Sequence, residues 1–192
     1  MDYFITGLGN KGEKYRYTRH NIGRLVLELL LKELKIYRLS REHFFYTYLF
    51  GHKIYLYIPD CYMNESGVYI KRVFSHLDVS VDNMLVIHDD KDIPFGYIKF
   101  IKNGSSGGHR GVQSVIDNIG NNFIRLKCGI ASRHIYDTAD FVLSSFTQEE
   151  RNDLKSYLEF IIKATFSFIK DGLSKSMSIY NKKYFKDFHG NS

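Results

Sequence analysis

The sequence predicts an α/β fold, a single domain over residues 1–192 built on a mixed, twisted β-sheet flanked by helices. Three observations predict it. Apolar runs of strand length alternate with segments whose apolar residues recur at helical spacing. Two β-rich runs are separated only by Gly51-His52-Lys53, which makes a hairpin and sets antiparallel strands beside parallel ones. The 192 residues contain no repeat, low-complexity linker or composition break, and that length suits one domain with a sizeable core.

Taken in order, Tyr3–Leu8 is a short buried strand ending in the glycine turn Gly7-Leu8-Gly9-Asn10. Ile22–Leu34 carries apolar residues on a helical period with Glu and Lys opposite. Phe44–Phe50 and Ile54–Ile58 are the hairpin strands, and Pro59 stops the second. Met63 to Leu77 reads as helix and Met84–His88 as another buried strand. Gly96–Lys102 alternates apolar and polar residues like a half-buried strand. The Gly104-Ser105-Ser106-Gly107-Gly108 loop, a short helix over Val112–Ile119 and a strand over Phe123–Ile130 follow. Thr147-Gln148-Glu149-Glu150 is a capping box that opens a long amphipathic helix to Lys170, with Gly172 as its C-cap.

Composition bounds the function. At 44% hydrophobic and 25% charged residues the chain is globular rather than disordered. The longest apolar run, Leu25–Leu31, is interrupted by Glu28 and falls short of the ~20 residues of a membrane span. Met1-Asp2-Tyr3-Phe4 offers no basic leader for a signal peptide. Cys61 and Cys128 are too few and too isolated for a disulfide scaffold or a cysteine zinc site. The expectation is a cytoplasmic protein with reduced thiols. Its net charge of +6 is compatible with a polyanionic partner without requiring one.

Gly7-Leu8-Gly9-Asn10-Lys11-Gly12 satisfies G-x-G-x-x-G after a strand. However, the helix begins only near Ile22, too late to meet a pyrophosphate. The acidic residue expected ~20 residues on is also missing, since Asp60 is the first candidate. Three other polar stretches follow strands or precede helices: Thr18-Arg19-His20-Asn21, Pro59-Asp60-Cys61-Tyr62-Met63-Asn64, and His88-Asp89-Asp90-Lys91-Asp92. Ligands in α/β sheets sit beyond the carboxyl ends of the strands, so these loops can bring Asn10, His20, Asn64 and Asp89 together. A carboxylate that fixes an imidazole, which in turn takes a proton from water, is a sound arrangement for acyl transfer. No G-x-S-x-G or Cys-His pair supplies a protein nucleophile, and no H-E-x-x-H supplies a metal site. Lys91 opposes a cation site within the 88–92 acidic run.

Together these stretches resemble bacterial-type peptidyl-tRNA hydrolase. The resemblance is carried by Gly7–Gly12, Tyr15, Thr18–Gly23, Tyr62–Gly67, His88–Gly96 and Gly107–Gly111, in order and in register over essentially the whole chain. It implies an enzyme that hydrolyses the ester between a peptide, or an N-blocked aminoacyl group, and tRNA. His20 would be the general base activating water and Asp89 would orient it. Asn10 would tell a blocked amino group from a free one. Tyr15, Tyr62, Asn64 and Arg110 would contact substrate. The family implies no metal and no organic cofactor, a monomer with no obligatory protein partner, no membrane association, and binding at the acceptor stem and CCA end of the tRNA.

The chain departs from the family pattern at three places. Arg110 stands where Asn is usual, Lys11 where Pro is usual, and Gly129-Ile130-Ala131-Ser132-Arg133-His134 replaces a Gly-Ile-Gly-Arg-Pro-like turn. Lys99, Lys102, Arg110, Arg133 and the tail lysines are candidates for phosphate contacts. Two alternatives stand beside this reading. One is a non-catalytic RNA-binding relative, favoured by Arg110; the other is a nucleotide-binding oxidoreductase, disfavoured by the late helix.

Overall fold

The computed structural model describes residues 1–34, 36–40, 43–132 and 138–187. Its centre is a seven-stranded sheet: β1 (Tyr3–Gly7), β2 (Tyr37–Ser40), β3 (Phe44–Leu49), β4 (His52–Tyr57), β5 (Met84–Pro94), β6 (Ile98–Lys102) and β7 (Ile124–Ala131), in spatial order β2-β3-β4-β1-β5-β7-β6. Strands β4, β1, β5 and β7 are parallel, while β2, β3 and β6 run antiparallel to their neighbours. The sheet is therefore mixed, as expected, and the hairpin registers Phe45 against Leu56.

Both faces of the central strands are covered, so β1 is buried at every residue instead of alternating. On one face α1 (Ile22–Glu33) and α5 (Gln148–Asp171) pack over Ile5, Leu85, Ile87 and Leu126. On the other, α2 (Ser66–Phe74) and α3 (Arg110–Ile119) pack over Phe4, Met84, Val86 and Phe123. The predicted capping box of α5 is present: Glu150 N–H donates to Thr147 Oγ1 at 3.2 Å, and Thr147 N–H to a Glu150 carboxylate oxygen at 2.7 Å.

Three short elements escape the sequence reading: β2, α4 (Thr138–Leu143) and α6 (Leu173–Tyr180). β2 is an edge strand of four residues whose only strand partner among the described residues is β3. α6 is rich in serine, a poor helix former, and is held by its surroundings. Beyond it, Asn181 acts as a strand partner with its side chain, accepting from Phe100 N–H at 2.7 Å and donating to Phe100 O at 3.2 Å, and so covers part of the β6 edge. β5 is also longer than expected. Its pairing with β7 continues through Asp89↔Cys128 and Asp90↔Gly129 before an irregularity leads to Pro94. Asp89 therefore lies inside a strand, not in the loop after it.

The start of α1 rests directly on the strand ends. Leu8 N–H donates to Ile87 O at 2.9 Å and Arg24 N–H to Leu8 O at 3.0 Å. No side chain fits at this crossing. A Cβ on Gly7 would lie 2.0 Å from Gly23 O, and one on Gly23 would lie 2.2 Å from Ile87 O. Because these two oxygens belong to the backbone, they cannot swing aside. Gly23→Ala is expected to cost about 3 kcal/mol, the upper end of ordinary overpacking, in urea unfolding. A loss under about 1 kcal/mol would show that the helix can shift at little cost.

Candidate active site

Asp89 is 2% exposed and points one carboxylate oxygen, Oδ1, at two imidazoles. His20 Nδ1 and His109 Nε2 each lie 2.8 Å from it. A carboxylate only accepts, so both ring nitrogens donate. The other nitrogen of His109 accepts from Val112 N–H at 3.2 Å, as the N-cap of α3. The tautomer that serves both bonds carries its proton on Nε2. In neutral His20 the proton on Nδ1 leaves Nε2 as a lone pair. The two rings are 4.8 Å apart, centroid to centroid.

Burial works to raise the Asp89 carboxyl, but the imidazoles of His109 and His20 outweigh it, and the acid is held well below the usual carboxylate range. His88 lies behind the pair, its ring edge-on to that of His109 at 4.8 Å. Its Nδ1–H donates to Asp89 O at 2.7 Å, and its Nε2 is buried without a hydrogen-bond partner among the described residues. Burial, with His109 adding to it, pushes the His88 pKa well below that of a free imidazole, so this ring stays neutral.

Asn10 is set by its backbone and its side chain together. Its N–H donates to Asn21 Oδ1 at 2.8 Å, and its carbonyl accepts from Asn21 Nδ2 at 2.9 Å. Its Oδ1 accepts from Met63 N–H at 2.8 Å, so the amide nitrogen is the end left to donate. Met63–Glu65 forms a 3₁₀ turn that presents Asn64 at the surface, after an exposed Tyr62 with Lys11 Nζ 5.0 Å from its ring centre. Tyr15 is half-buried, and Arg110, the first residue of α3, is exposed.

All seven residues singled out in the sequence (Asn10, Tyr15, His20, Tyr62, Asn64, Asp89 and Arg110) line one cleft of about 560 Å³ at the carboxyl ends of the parallel strands. The same wall holds His88, His109 and Lys127, which the sequence reading did not single out. His109 stood in the Gly107–Gly111 motif, but a histidine before a helix signals a cap and says nothing about a distant carboxylate. Lys127 pairs with Asp90 across adjacent strands, a register that only the sheet reveals. Arg133, also proposed from sequence, lies outside the described residues.

His20, Asp89 and His109 bring three donor atoms within 4.8 Å of one another. A metal on His109 Nε2 would leave the ring proton on Nδ1, which could then no longer accept from Val112 N–H, and so would cost the helix cap. The donor set suits a hydrogen-bond relay better than a cation. Neither cysteine is poised as a nucleophile, since burial raises the Cys61 thiol to about 11 and lifts Cys128 well above its ordinary value.

The buried His88 gives the fold a pH dependence with a definite sign. Its folded pKa lies below the unfolded value of 6.5, so its contribution to stability is complete above that value and declines as pH falls beneath it. In that range the unfolded chain binds a proton that the native chain refuses, which costs about 1.4 kcal/mol per pH unit. His88→Asn, which keeps a donor for Asp89 O, is expected to flatten the decline in melting temperature between pH 7 and pH 5. Parallel curves for the two proteins would remove His88 as the cause.

The peptidyl-tRNA hydrolase family model matches residues 4–187. The peptidyl-tRNA hydrolase of Thermodesulfovibrio yellowstonii is 40% identical over 183 residues, which is 93% of this chain and 98% of that one. That of Aliarcobacter butzleri is 42% identical over 164 residues, 84% of this chain and 89% of that one. A crystal structure of peptidyl-tRNA hydrolase from Acinetobacter baumannii superposes with a TM-score of 0.86 at 26% identity, covering 95% of this chain and 96% of that one. Likeness in sequence and in fold thus extends over nearly the whole length, and the chain belongs to the peptidyl-tRNA hydrolase family.

Proposed function

We propose that this chain hydrolyses the ester between a peptide and tRNA, with water as nucleophile and His20 as general base. The observation that carries the reading is the His20–Asp89 bond, which turns the other nitrogen of His20 into a lone pair at the wall of a cleft. His20 Nε2 takes a proton from water as its oxygen attacks the ester carbonyl. Collapse of the tetrahedral intermediate breaks the bond to the ribose oxygen, which receives that proton from the imidazolium. Asp89 stabilises the imidazolium, and His109, donating to the same oxygen, holds the carboxylate in place. The amide nitrogen of Asn10 is available to hold a substrate carbonyl, and Asn64, Tyr15, Tyr62 and Arg110 would contact the peptide and the CCA end.

The acceptor stem would be held by its phosphates, without reading bases. Lys102, Lys175 and Lys186 already pair with Asp82, Asp171 and Asp153. Lys99, Arg110, Lys182 and Lys183 are exposed and hold no carboxylate among the described residues, which makes them the better candidates. The chain would act as a cytoplasmic monomer without a cofactor. No helix among the described residues is long and apolar enough to cross a membrane.

The deciding assay compares release from N-acetyl-aminoacyl-tRNA with release from unblocked aminoacyl-tRNA. Wild type should act on the blocked substrate only, and His20→Ala should lower turnover by about 10²–10⁴ while the fold survives. Tight binding of tRNA with no release from either substrate would favour a binding protein instead. Log affinity for tRNA should fall linearly with log salt, and a flat line would exclude phosphate-mediated binding.

A further inference from the structure

His20 sits in a single 3₁₀ turn, Arg19–Asn21, whose three residues are all buried. Such a turn has little stability of its own, so its placement depends on what its side chains grip. Asn21 grips the Asn10 loop and His20 grips Asp89. Arg19 reaches the other way, with 2% of its surface exposed. Its Nη1 and Nη2 form a two-pronged bond to Glu150 at 2.8 and 2.6 Å. Its Nη1 also donates to Ile130 O at 3.2 Å and its Nε to Ser144 Oγ at 3.3 Å. The guanidinium lies over Phe141 and Phe146, at 4.7 and 5.2 Å from the ring centres. Arg19 N–H donates to Ser144 O at 3.0 Å.

One residue next to the imidazole thus ties its turn to α4, α5 and β7. The Glu150 oxygen that accepts from Arg19 Nη2 also accepts from Thr147 N–H, so the cap of α5 and the His20 turn share an atom. A buried ion pair is a poor source of net stability compared with apolar packing, but a planar, two-pronged one fixes direction.

We propose that Arg19 and Glu150 are positioning residues for the reaction, holding the turn so that the His20 imidazole meets Asp89 in line. The inference rests on the functional reading above for its kinetics and on geometry alone for its spectroscopy. Displacing a catalytic group by about 1 Å can cost on the order of 10²-fold in rate. Loss of the pair should therefore fall on kcat and leave KM almost unchanged.

The test compares Glu150→Gln, nearly isosteric but uncharged, with Thr147→Ala, which removes the hydroxyl of the same cap and leaves the ion pair. With N-acetyl-aminoacyl-tRNA, Glu150→Gln is expected to lower kcat by about 10- to 100-fold with KM within about twofold, while Thr147→Ala changes kcat by less than about twofold. In a His20→Ala background Glu150→Gln should cost nothing further, because it acts through a residue no longer present. The His20 imidazole N–H resonance should move in Glu150→Gln and stay in place in Thr147→Ala. An effect confined to KM, an equal loss in the His20→Ala background, an equal loss in Thr147→Ala or an unmoved resonance would each overturn the proposal. Should Glu150→Gln not fold, Ser144→Ala, which removes the Arg19 Nε contact together with the hydroxyl's bond to Phe141 O, is expected to show the same pattern at about two- to fivefold. Wild type without hydrolytic activity would defeat the functional reading alone, and the resonance would still decide the positioning role.

Discussion

One carboxylate oxygen, Asp89 Oδ1, accepts from two imidazoles inside the protein, and much of the cleft is arranged around that constraint. A buried anion is tolerable only when its partners are supplied and held. His109 is held because its second nitrogen caps α3, and His20 because its turn is pinned at Arg19 and Asn21. The His109 ring and the turn that carries His20 are therefore each bound at a second place in the fold, and neither can drift away without cost to structure elsewhere. The same arrangement prepares the site for proton transfer, since the nitrogen that donates to Asp89 determines which nitrogen remains a base.

Close backbone contact makes this geometry possible. Gly7 and Gly23 let the start of α1 touch β1 and β5, and the turn carrying His20 leads directly into that helix. Larger residues at either position would lift the helix and carry the imidazole away from Asp89. The reciprocal pair between Asn10 and Asn21 closes the same junction from the loop side. Packing and the site are thus one problem here: the contacts that join α1 to the sheet also set the distance across the relay.

Where sequence and structure diverge, pairing or burial explains it. β5 outruns its apolar stretch because β7 continues to pair with it, and Asp89 tolerates burial in the strand because both imidazoles reach it. α6, poor in helix formers, is stabilised by contacts such as Ser176 Oγ to Gly172 O at 2.9 Å and Ser176 to Ser167 at 3.0 Å. β2 depends on β3 for its strand pairing. The β7 partners of Asp89 and Asp90, Cys128 and Gly129, lie too far along the chain to leave a local signal.

The sequence by itself determined the α/β class, the hairpin, the α5 capping box and the seven residues that share the cleft, because each leaves a mark in local periodicity, turn chemistry or motif order. It placed Asp89 beside His20 through motif order, and Asp89 is bonded to His20. Only the tertiary structure decided that His109 joins the same carboxylate, that His88 is buried behind it, and that Arg19 grips Glu150. Those contacts join residues 20 to 131 positions apart. Nothing in either local stretch encodes such a partner, and the shared environment that fixes tautomer, burial and charge exists only once the sheet has brought the segments together.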